Sequence, residues 1–468
     1  MISISSLSLA ALLSACAVGP DYRPPETAVS AFVRAEAADL VAEPFEAAWW
    51  EQFGDPVLSS LVDRALANDL DLQVAASRVN EARALSRATH RVRWPGTTVE
   101  VARDERRGQQ PGFTSERVEA ESYETGISTF WEIDLFGRVR RSAEAAAADT
   151  EAAEADLQAA QVLVAAEVAA TYLELRGEQK RLEVARANRD SQRDTLELTQ
   201  IRLDLGRGTE LDVASASARL AATDTSIPPL VAAEAAATHR LAVLAGERPG
   251  ALDSELMARE ISPRLTTLEV GSPGSLLRRR PDIRAAEREL AAAVARVGVA
   301  HADMFPRLTL SGFIGFIAGD ADELGESMSR AWSITPVLAW AGFTGERALL
   351  AAAEARADGA LAAYQRTILR ALEETENAFV SYGQNRRRLV AAIAQVDASR
   401  RAAELARVQY REGALDFLRL LDAERTVLQA EDAVAVAETD LNTSVVLIYK
   451  ALGGGWEVAP NPRLNPAT

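Results

Sequence analysis

Over most of this chain, apolar residues recur at the three- and four-residue spacing of amphipathic helices, which predicts a mainly helical fold. The predicted helices fall into two equivalent sets, over 56–92, 138–205 and 210–246, and over 276–304, 345–411 and 415–452. The first helix of each set restarts at equivalent positions, Asn68–Asp71 and Pro281–Asp282. In places the apolar positions alternate by three and four, as in Val162, Ala165 and Ala169. That alternation favours left-handed packing of antiparallel helices, as in coiled coils. A helix of about 65 residues is roughly 100 Å long, so such helices must pack laterally against others.

The two sets of helices belong to two copies of one unit of roughly 210 residues. Tyr172 falls on Phe379 at an offset of 207 (379 − 172 = 207), and Gly206 falls on Gly413 at the same offset. Further upstream, Trp94 falls on Phe305 at an offset of 211 (305 − 94 = 211). Since a repeat of this length is not a solenoid period, we predict a duplicated half with pseudo-symmetry.

Two stretches, 94–131 and 305–340, break the helical pattern and predict β-hairpins. In the second stretch Leu308, Leu310 and Ile314 alternate with other residues, and aromatic residues bound both stretches. Strands of about ten residues with one apolar face and aromatic ends match transmembrane β-strands. Because the first stretch is heavily charged over 103–107, a pair of solvent-exposed loops is the alternative interpretation.

Two hairpins supply four strands, and four strands cannot close into a barrel. An open sheet edge is not tolerated in lipid, so closure needs several chains. Two chains give eight strands, whose inward side chains nearly fill the interior. Three chains give twelve strands and an open lumen, so a homotrimer is predicted if the barrel conducts.

Composition and charge narrow the function. The chain has 51 Lys and Arg against 68 Asp and Glu, and its net charge of −17 argues against nucleic-acid binding. Past the amino terminus no stretch of about 18 consecutive apolar residues predicts a transmembrane helix. The histidines at 90, 239 and 301 are scattered, and neither a phosphate loop nor a nucleophile elbow is present. We therefore expect no enzymatic activity, no metal site and no bound cofactor.

The single cysteine, Cys16, follows an apolar stretch and small residues, as in a bacterial lipoprotein signal. This pattern predicts that residues 1–15 are removed and that the Cys16 thiol carries a covalent lipid. The alternative is an inert buried cysteine. With no other cysteine in the chain, an internal disulfide is excluded, and stability must come from packing.

Several stretches together resemble one family, in its own order along the chain: Cys16–Tyr22, Trp131–Arg138, Arg280–Glu287 and Glu412–Arg425. The chain resembles the TolC-type outer-membrane efflux proteins, in the lipoprotein branch called NodT-like or OprM-like. The resemblance implies a homotrimer with a twelve-stranded β-barrel and a helical α-barrel that reaches into the periplasm. It also implies two partners, a periplasmic adaptor and an inner-membrane pump, usually of the resistance-nodulation-division class.

By position, the resemblance places adaptor-docking tips at 206–211 and 413–418. The docking candidates are Gly206, Gly208, Thr209, Leu211, Gly413 and Leu418. From the residues alone, the three glycines are equally well explained as left-handed helix caps, and both interpretations can hold. The periplasmic gate falls at Asp416 or at Leu415, where some members carry the acidic residue. Asp416 is either one of three carboxylates in a ring that attracts cations, or a helix N-cap.

The predicted organisation divides the chain as follows: signal peptide 1–15, amino-terminal segment 16–54, first repeat 55–250, linker 251–274, second repeat 275–455, and tail 456–468. The predicted function is passive export of small molecules through an outer-membrane channel-tunnel anchored by lipid and extending into the periplasm. The sequence leaves two alternatives open. One is the channel of a type I protein secretion system, and the other is a non-conducting, lipid-anchored coiled-coil scaffold without membrane strands.

Overall fold

A computed structural model describes residues 17–25, 47–109, 117–258, 279–342 and 345–458. The predicted signal peptide and Cys16 lie outside the described residues. The helices are α1 (Pro56–Asn68), α2 (Leu70–Arg91), α3 (Arg138–Asp204), α4 (Glu210–Leu244), α5 (Pro281–Ala302), α6 (Glu346–Arg411) and α7 (Phe417–Ala451). The strands are β1 (Gly96–Gly108), β2 (Val118–Ile133), β3 (Arg307–Ala318) and β4 (Arg330–Ala339).

The chain divides into two compact units, which are described separately. The strand unit comprises Met1–Glu26, Arg78–Glu154 and Ala285–Arg366, and it contains all four described strands. The helical unit comprises Thr27–Ser77, Ala155–Arg284 and Thr367–Thr468. In neither unit does a described helix combine the length and the apolar character needed to cross a membrane.

The long helices begin and end close to the predicted residues, and the helical stretch over 56–92 is divided within the predicted restart at Asn68–Asp71. It breaks at Asp69, whose ψ of 134° lies outside the helical region, between α1 and α2. The Asp69 carboxylate accepts hydrogen bonds from the backbone N–H groups of Asp71 at 2.9 Å and Leu72 at 3.0 Å. A short acceptor side chain that bonds the backbone just ahead of it caps a new helix instead of continuing the old one.

The predicted hairpins are confirmed, and they join into one antiparallel sheet in the order β1-β2-β3-β4. The middle pair, β2 with β3, connects the two copies of the repeat, and Gly126 lies opposite Gly315 in its register. The two solvent-exposed loops considered as an alternative are therefore wrong. Since β1 and β4 each pair with one neighbour, the sheet ends in two open edges.

Aromatic residues from both copies of the repeat fill the core of the helical unit. Tyr172 and its counterpart Phe379 are both buried. The Trp49 ring stacks on Tyr449 with centroids 5.3 Å apart. Asp55 caps α1 by accepting from the Val57 N–H at 2.9 Å, and its other oxygen accepts from the Tyr172 hydroxyl at 2.6 Å.

Arg280 anchors the start of α5 within the helical unit. Its guanidinium contacts Asp282 at 2.7 Å and Glu374 of α6 at 2.8 Å, and it donates to the carbonyl of Ala451 at 2.8 Å. The Arg280 side chain is only 8% exposed. One buried cation therefore connects α5, α6 and the end of α7.

Candidate functional site

The two helical tips, after α3 and after α6, are built in the same way. Gly206 and Gly413 have φ values of +68° and +75°, which a residue with a side chain adopts only at a cost. Beyond each glycine the chain folds back, because Arg207 N–H donates to Arg202 C=O and Ala414 N–H donates to Gln409 C=O, both at 2.8 Å. These two glycines are left-handed caps, as predicted.

The prediction is wrong for Gly208, which is not a left-handed cap because its φ does not lie in the left-handed region. A Cβ at position 208 would lie 3.1 Å from the Leu203 backbone nitrogen. The residue therefore serves close approach of the turn to the end of α3, rather than a left-handed conformation.

Thr209 and Asp416 occupy equivalent positions (416 − 209 = 207) and cap the helices that leave the tips. Thr209 accepts from the Asp212 N–H at 3.1 Å, and the Asp212 carboxylate accepts from the Thr209 N–H at 3.0 Å, which forms a capping box. The Asp416 carboxylate accepts from the Arg419 N–H at 3.0 Å. The N-cap interpretation of Asp416 is confirmed. The Asp416 side chain is exposed. A further role of this side chain in a gate stays a prediction.

The predicted tip leucines differ in exposure. Leu211 and its counterpart Leu418 are 65% and 56% exposed, one at each tip. Leu415 is instead half-buried against an apolar cluster, the tip core, formed by Ala216, Ala406, Tyr410, Phe417, Leu420 and Leu421. The tips therefore present free apolar side chains at two equivalent positions above a packed interior.

Tyr410 and Glu424 were not singled out as site residues from the sequence. Tyr410 lies outside the recognised stretches, and Glu424 lies within Glu412–Arg425 but had no role assigned to it. The Arg202 guanidinium lies over the Tyr410 ring, 4.5 Å from its centroid, and so joins the end of α3 to the end of α6. Burial raises the pKa of the Tyr410 hydroxyl. Glu424, only 7% exposed, pairs with Arg407 at 3.0 Å. These contacts hold the tip core together.

Further from the tips, side chains on α7 tie it to α3 and α6. Glu431 accepts from Asn188 of α3 at 3.1 Å and from Arg400 of α6 at 2.9 Å. Asp432 pairs with Arg181 of α3 at 2.8 Å. Displacing α7 from α3 would break both of these polar contacts.

The sheet has one apolar and one polar face. Val99, Ile127, Ile314 and Trp332 lie opposite one another in register and are all exposed. This surface is called the apolar face. The polar face carries the alternate residues, among them Glu100, Ser128 and Ser333, and there the Ser128 hydroxyl donates to Glu100 at 2.6 Å. Alternation of this kind is that of a strand with lipid on one side and water on the other.

Two glycines facing one another allow β2 and β3 to approach closely. A Cβ at Gly126 would lie 2.6 Å from the Ile314 carbonyl oxygen, and a Cβ at Gly315 would lie 2.6 Å from Gly126 Cα. Both would also collide with the Phe313 ring, at 2.6 and 2.7 Å. Glycine at both positions therefore leaves room for the aromatic ring against the sheet.

The tryptophans at the ends of the two hairpins make equivalent contacts in both copies of the repeat. The Trp131 indole N–H donates to the Arg93 carbonyl, and the Trp340 indole N–H donates to the Met304 carbonyl, each at 3.1 Å. After β2, the Asp134 carboxylate accepts from the Arg140 N–H at 2.9 Å and so caps α3. These contacts fix the direction in which the chain leaves the sheet.

The segment that follows Cys16 lies along the strand unit. The Val18 N–H donates to the Phe136 carbonyl at 3.1 Å, and Asp21 pairs with Arg141 at 2.5 Å. The Tyr22 hydroxyl donates to Glu287 at 2.9 Å, and its ring packs on Ala148, Ala291 and Ala292. A cysteine-linked lipid at residue 16 would therefore begin one residue before a firmly held segment.

Replacing Tyr22 with alanine is expected to release this segment, because the packing of the half-buried ring and its hydrogen bond are lost together. Hydrogen exchange of the peptide covering residues 17–22 should become about tenfold faster in Tyr22→Ala, and less so in Tyr22→Phe, which keeps the ring. Arg23→Ala, at an exposed position of the same segment, is the control and should exchange like the wild type. Unchanged exchange in Tyr22→Ala would show that the ring does not hold the segment.

Comparison with known proteins places these features in a family. The outer membrane efflux protein family matches residues 61–247 and 272–454 of the chain. This chain belongs to that family. Nodulation protein T of Rhizobium leguminosarum bv. trifolii is 30% identical over 449 residues, which cover 95% of this chain and 96% of that protein.

A second relative and a solved structure provide evidence on function. The solvent efflux pump outer membrane protein SrpC of Pseudomonas putida is 32% identical over 423 residues, 88% of each chain. The solved structure of the outer-membrane channel OprN has a TM-score of 0.91 to this chain at 49% identity, covering 94% of this chain and 100% of OprN. The predicted fold class, the outer-membrane location and the function as an efflux channel are confirmed.

Family membership also assigns the two faces of the sheet. The apolar face is the lipid-facing surface of a β-barrel wall, and the polar face lines the lumen. The members of this family are channels rather than enzymes. Across the described residues, no group of three or more His, Cys, Asp or Glu side chains is arranged to hold a metal ion. The coiled-coil scaffold considered as an alternative predicted no membrane strands, and it is wrong.

Proposed function

We propose that three copies of this chain form the outer-membrane channel-tunnel of a tripartite efflux system. The observation that carries this proposal is the four-stranded sheet with its apolar face and its two open edges. In lipid those edges must pair, and three copies joined β1 to β4 make a closed wall of twelve strands. A wall of that size leaves an aqueous lumen lined by the polar face.

The helical tips are the proposed docking sites for a periplasmic adaptor. Leu211 and Leu418 supply exposed apolar side chains at equivalent positions, and a trimer would present six of them. The duplicated capping geometry supports one binding mode used twice around the ring. An inner-membrane pump, joined through the adaptor, would supply the energy, while this chain provides a passive path.

Small molecules are the proposed cargo. The relative SrpC is named as part of a solvent efflux pump. The polar face presents mainly hydroxyl-bearing, glycine and charged residues to the proposed lumen. The Cys16 lipid is proposed as a membrane anchor that acts together with the segment around Tyr22.

Opening of the periplasmic end is proposed to involve displacement of α7 from α3. The contacts of Glu431 with Asn188 and of Asp432 with Arg181 stabilise the arrangement described here. An adaptor that binds a splayed arrangement more tightly would shift the equilibrium towards it by its difference in affinity.

Two substitutions at Asp416 separate its cap from its charge. Asp416→Asn keeps a good N-cap and should lower the preference for cations in planar-bilayer recordings, because three carboxylates are neutralised. Asp416→Ala loses the cap as well, which destabilises the first turn of α7 by about 1 kcal/mol. The ion leak through the closed channel should therefore rise.

These recordings also test the channel function itself, since the proposal requires the purified wild-type protein to conduct. If Asp416→Asn has wild-type selectivity, the carboxylate ring is wrong. If Asp416→Ala leaves closed-state conductance unchanged, Asp416 does not contribute to the gate. Thr209→Val, which removes the equivalent cap at the first tip, is the matched control for a loss of capping without a loss of charge.

A further inference from the structure

A groove of about 680 Å³ crosses the apolar face of the sheet and reaches the residues that flank the turn between β3 and β4. Its side-chain lining includes Val99, Ile127, Ile314, Phe316 and Trp332, and Arg330 is the one charged residue among those that line it. Trp332 is 75% exposed. The groove is thus a lipid-facing surface with a single cation at its edge.

Arg330 differs from the other arginines on this face. Arg103 pairs with Glu121 at 3.3 Å, and Arg107 pairs with Glu119 at 3.1 Å. Within the parts of the chain that the structure describes, the Arg330 guanidinium has no hydrogen bond or ion pair. An unpaired guanidinium beside an apolar groove offers a site for an anion that also carries apolar chains.

Strand register places Arg330 at the level of a membrane boundary. Arg330 is the first residue of β4 and lies opposite Phe316, while Trp332 lies two residues nearer to the middle of the strand, on the same face. Trp340 directly follows the other end of β4, whose ten residues match the length of a transmembrane strand. Aromatic rings at this level and a long cationic side chain reaching outward are typical of the headgroup region.

We propose that the groove and Arg330 bind the phosphorylated, multiply acylated glycolipid of the outer leaflet, lipid A. One acyl chain would lie along Ile127, Ile314 and Trp332, and one phosphate would accept hydrogen bonds from the Arg330 guanidinium. Guanidinium and phosphate match in charge and in bidentate geometry. This inference rests on the proposed barrel, because only there does the apolar face meet the outer leaflet.

Carboxylates near Arg330 affect the conditions under which lipid binding is measured. The turn between β3 and β4 carries Asp320, Asp322, Glu323 and Glu326, and like charge would oppose a phosphate near them. Divalent cations bridge such groups, so binding is measured in the presence of Mg²⁺. Since β4 is an edge strand, a carboxylate on β1 of a second copy is the competing partner for Arg330, and the test must separate it from a lipid.

The test is native mass spectrometry of the delipidated protein titrated with diphosphoryl lipid A, with dephosphorylated lipid A and with phosphatidylglycerol. We expect wild type to bind up to one diphosphoryl lipid A per chain, and Arg330→Gln to bind it at least tenfold more weakly. Arg107→Gln is the control, because it removes a cation from the same face that already has a partner. Arg330→Lys should bind with intermediate affinity.

Several results would overturn the proposal. Equal affinity of wild type and Arg330→Gln would exclude the guanidinium contact. Equal affinity for the dephosphorylated lipid, or for phosphatidylglycerol, would exclude lipid A as the specific ligand. Loss of trimers in Arg330→Gln without a change in lipid bound per chain would assign Arg330 to contact with a second copy. Because the spectra report subunit number separately from lipid, failure of this inference is distinguishable from failure of the proposed trimer.

Discussion

Gly315→Ala is expected to lower the free energy of unfolding by about 3 kcal/mol, the upper range for forcing an extra carbon into a packed site. The new Cβ would collide with the Thr125 carbonyl oxygen and lie 2.6 Å from Gly126 Cα. Both are backbone atoms, so neither can move aside as a side chain would. The collision falls on the β2–β3 pair, which joins the two copies of the repeat, and so the whole sheet is affected.

Urea-induced unfolding of the detergent-solubilised protein, followed by tryptophan fluorescence, measures this loss. Two other glycines of the same region provide controls. At Gly319 a Cβ has no atom within 4 Å, so Gly319→Ala should behave like the wild type. At Gly312 the nearest atom, 2.9 Å away, is the methyl group of Thr129, which can rotate, so Gly312→Ala should cost about 1 kcal/mol. If Gly315→Ala unfolds like Gly319→Ala, close strand approach is not what requires the glycine.

Arg280→Met is expected to destabilise the helical unit by about 2–3 kcal/mol. The substitution keeps an unbranched apolar side chain but leaves Asp282, Glu374 and the Ala451 carbonyl without their shared cation. The two carboxylates are partly exposed and can be hydrated. The loss of stability is therefore smaller than for a fully buried ion pair. Arg280→Lys should recover only part of it, because an ammonium cannot reproduce the planar fork.

Thermal unfolding of the Arg280 variants provides the measurement, with Arg401→Met as the matched control. Arg401 pairs with Glu404 on the exposed surface of α6, and surface pairs of this kind contribute little. Equal midpoints for Arg280→Met and Arg401→Met would contradict the anchoring role of Arg280. Single-channel conductance of Arg280→Met should stay at the wild-type value, since the residue lies outside the tips and the sheet.

The sequence predicted the long helices and the hairpins well, because their patterns extend over many residues. The seam through Val162, Ala165 and Ala169 recurs for many turns, and all three residues are buried. The offset of 207 also predicted which tip residues are equivalent, and Thr209 and Asp416 do cap corresponding helices. Periodicity and duplication are signals that accumulate along a chain, so single exceptions do not obscure them.

The features that the sequence did not predict each depend on one local or long-range contact. The restart at Asn68–Asp71 was predicted, but not its cause, which is the Asp69 carboxylate accepting from two backbone N–H groups. The role of Gly208 depends on its distance to Leu203, and the contact between Arg202 and Tyr410 joins residues far apart in the chain. The Arg280 motif was recognised as a helix start, but its partners Glu374 and Ala451 follow only from the fold.

Single-particle cryo-electron microscopy of the protein purified from outer membranes tests the central claim most directly. The account predicts a particle with threefold symmetry, a β-barrel of twelve strands in which β1 of one copy pairs with β4 of the next, and helices continuing beyond it. The same preparation should require detergent for extraction. A monomer or dimer, or a protein released without detergent, would contradict the barrel and with it the proposed channel.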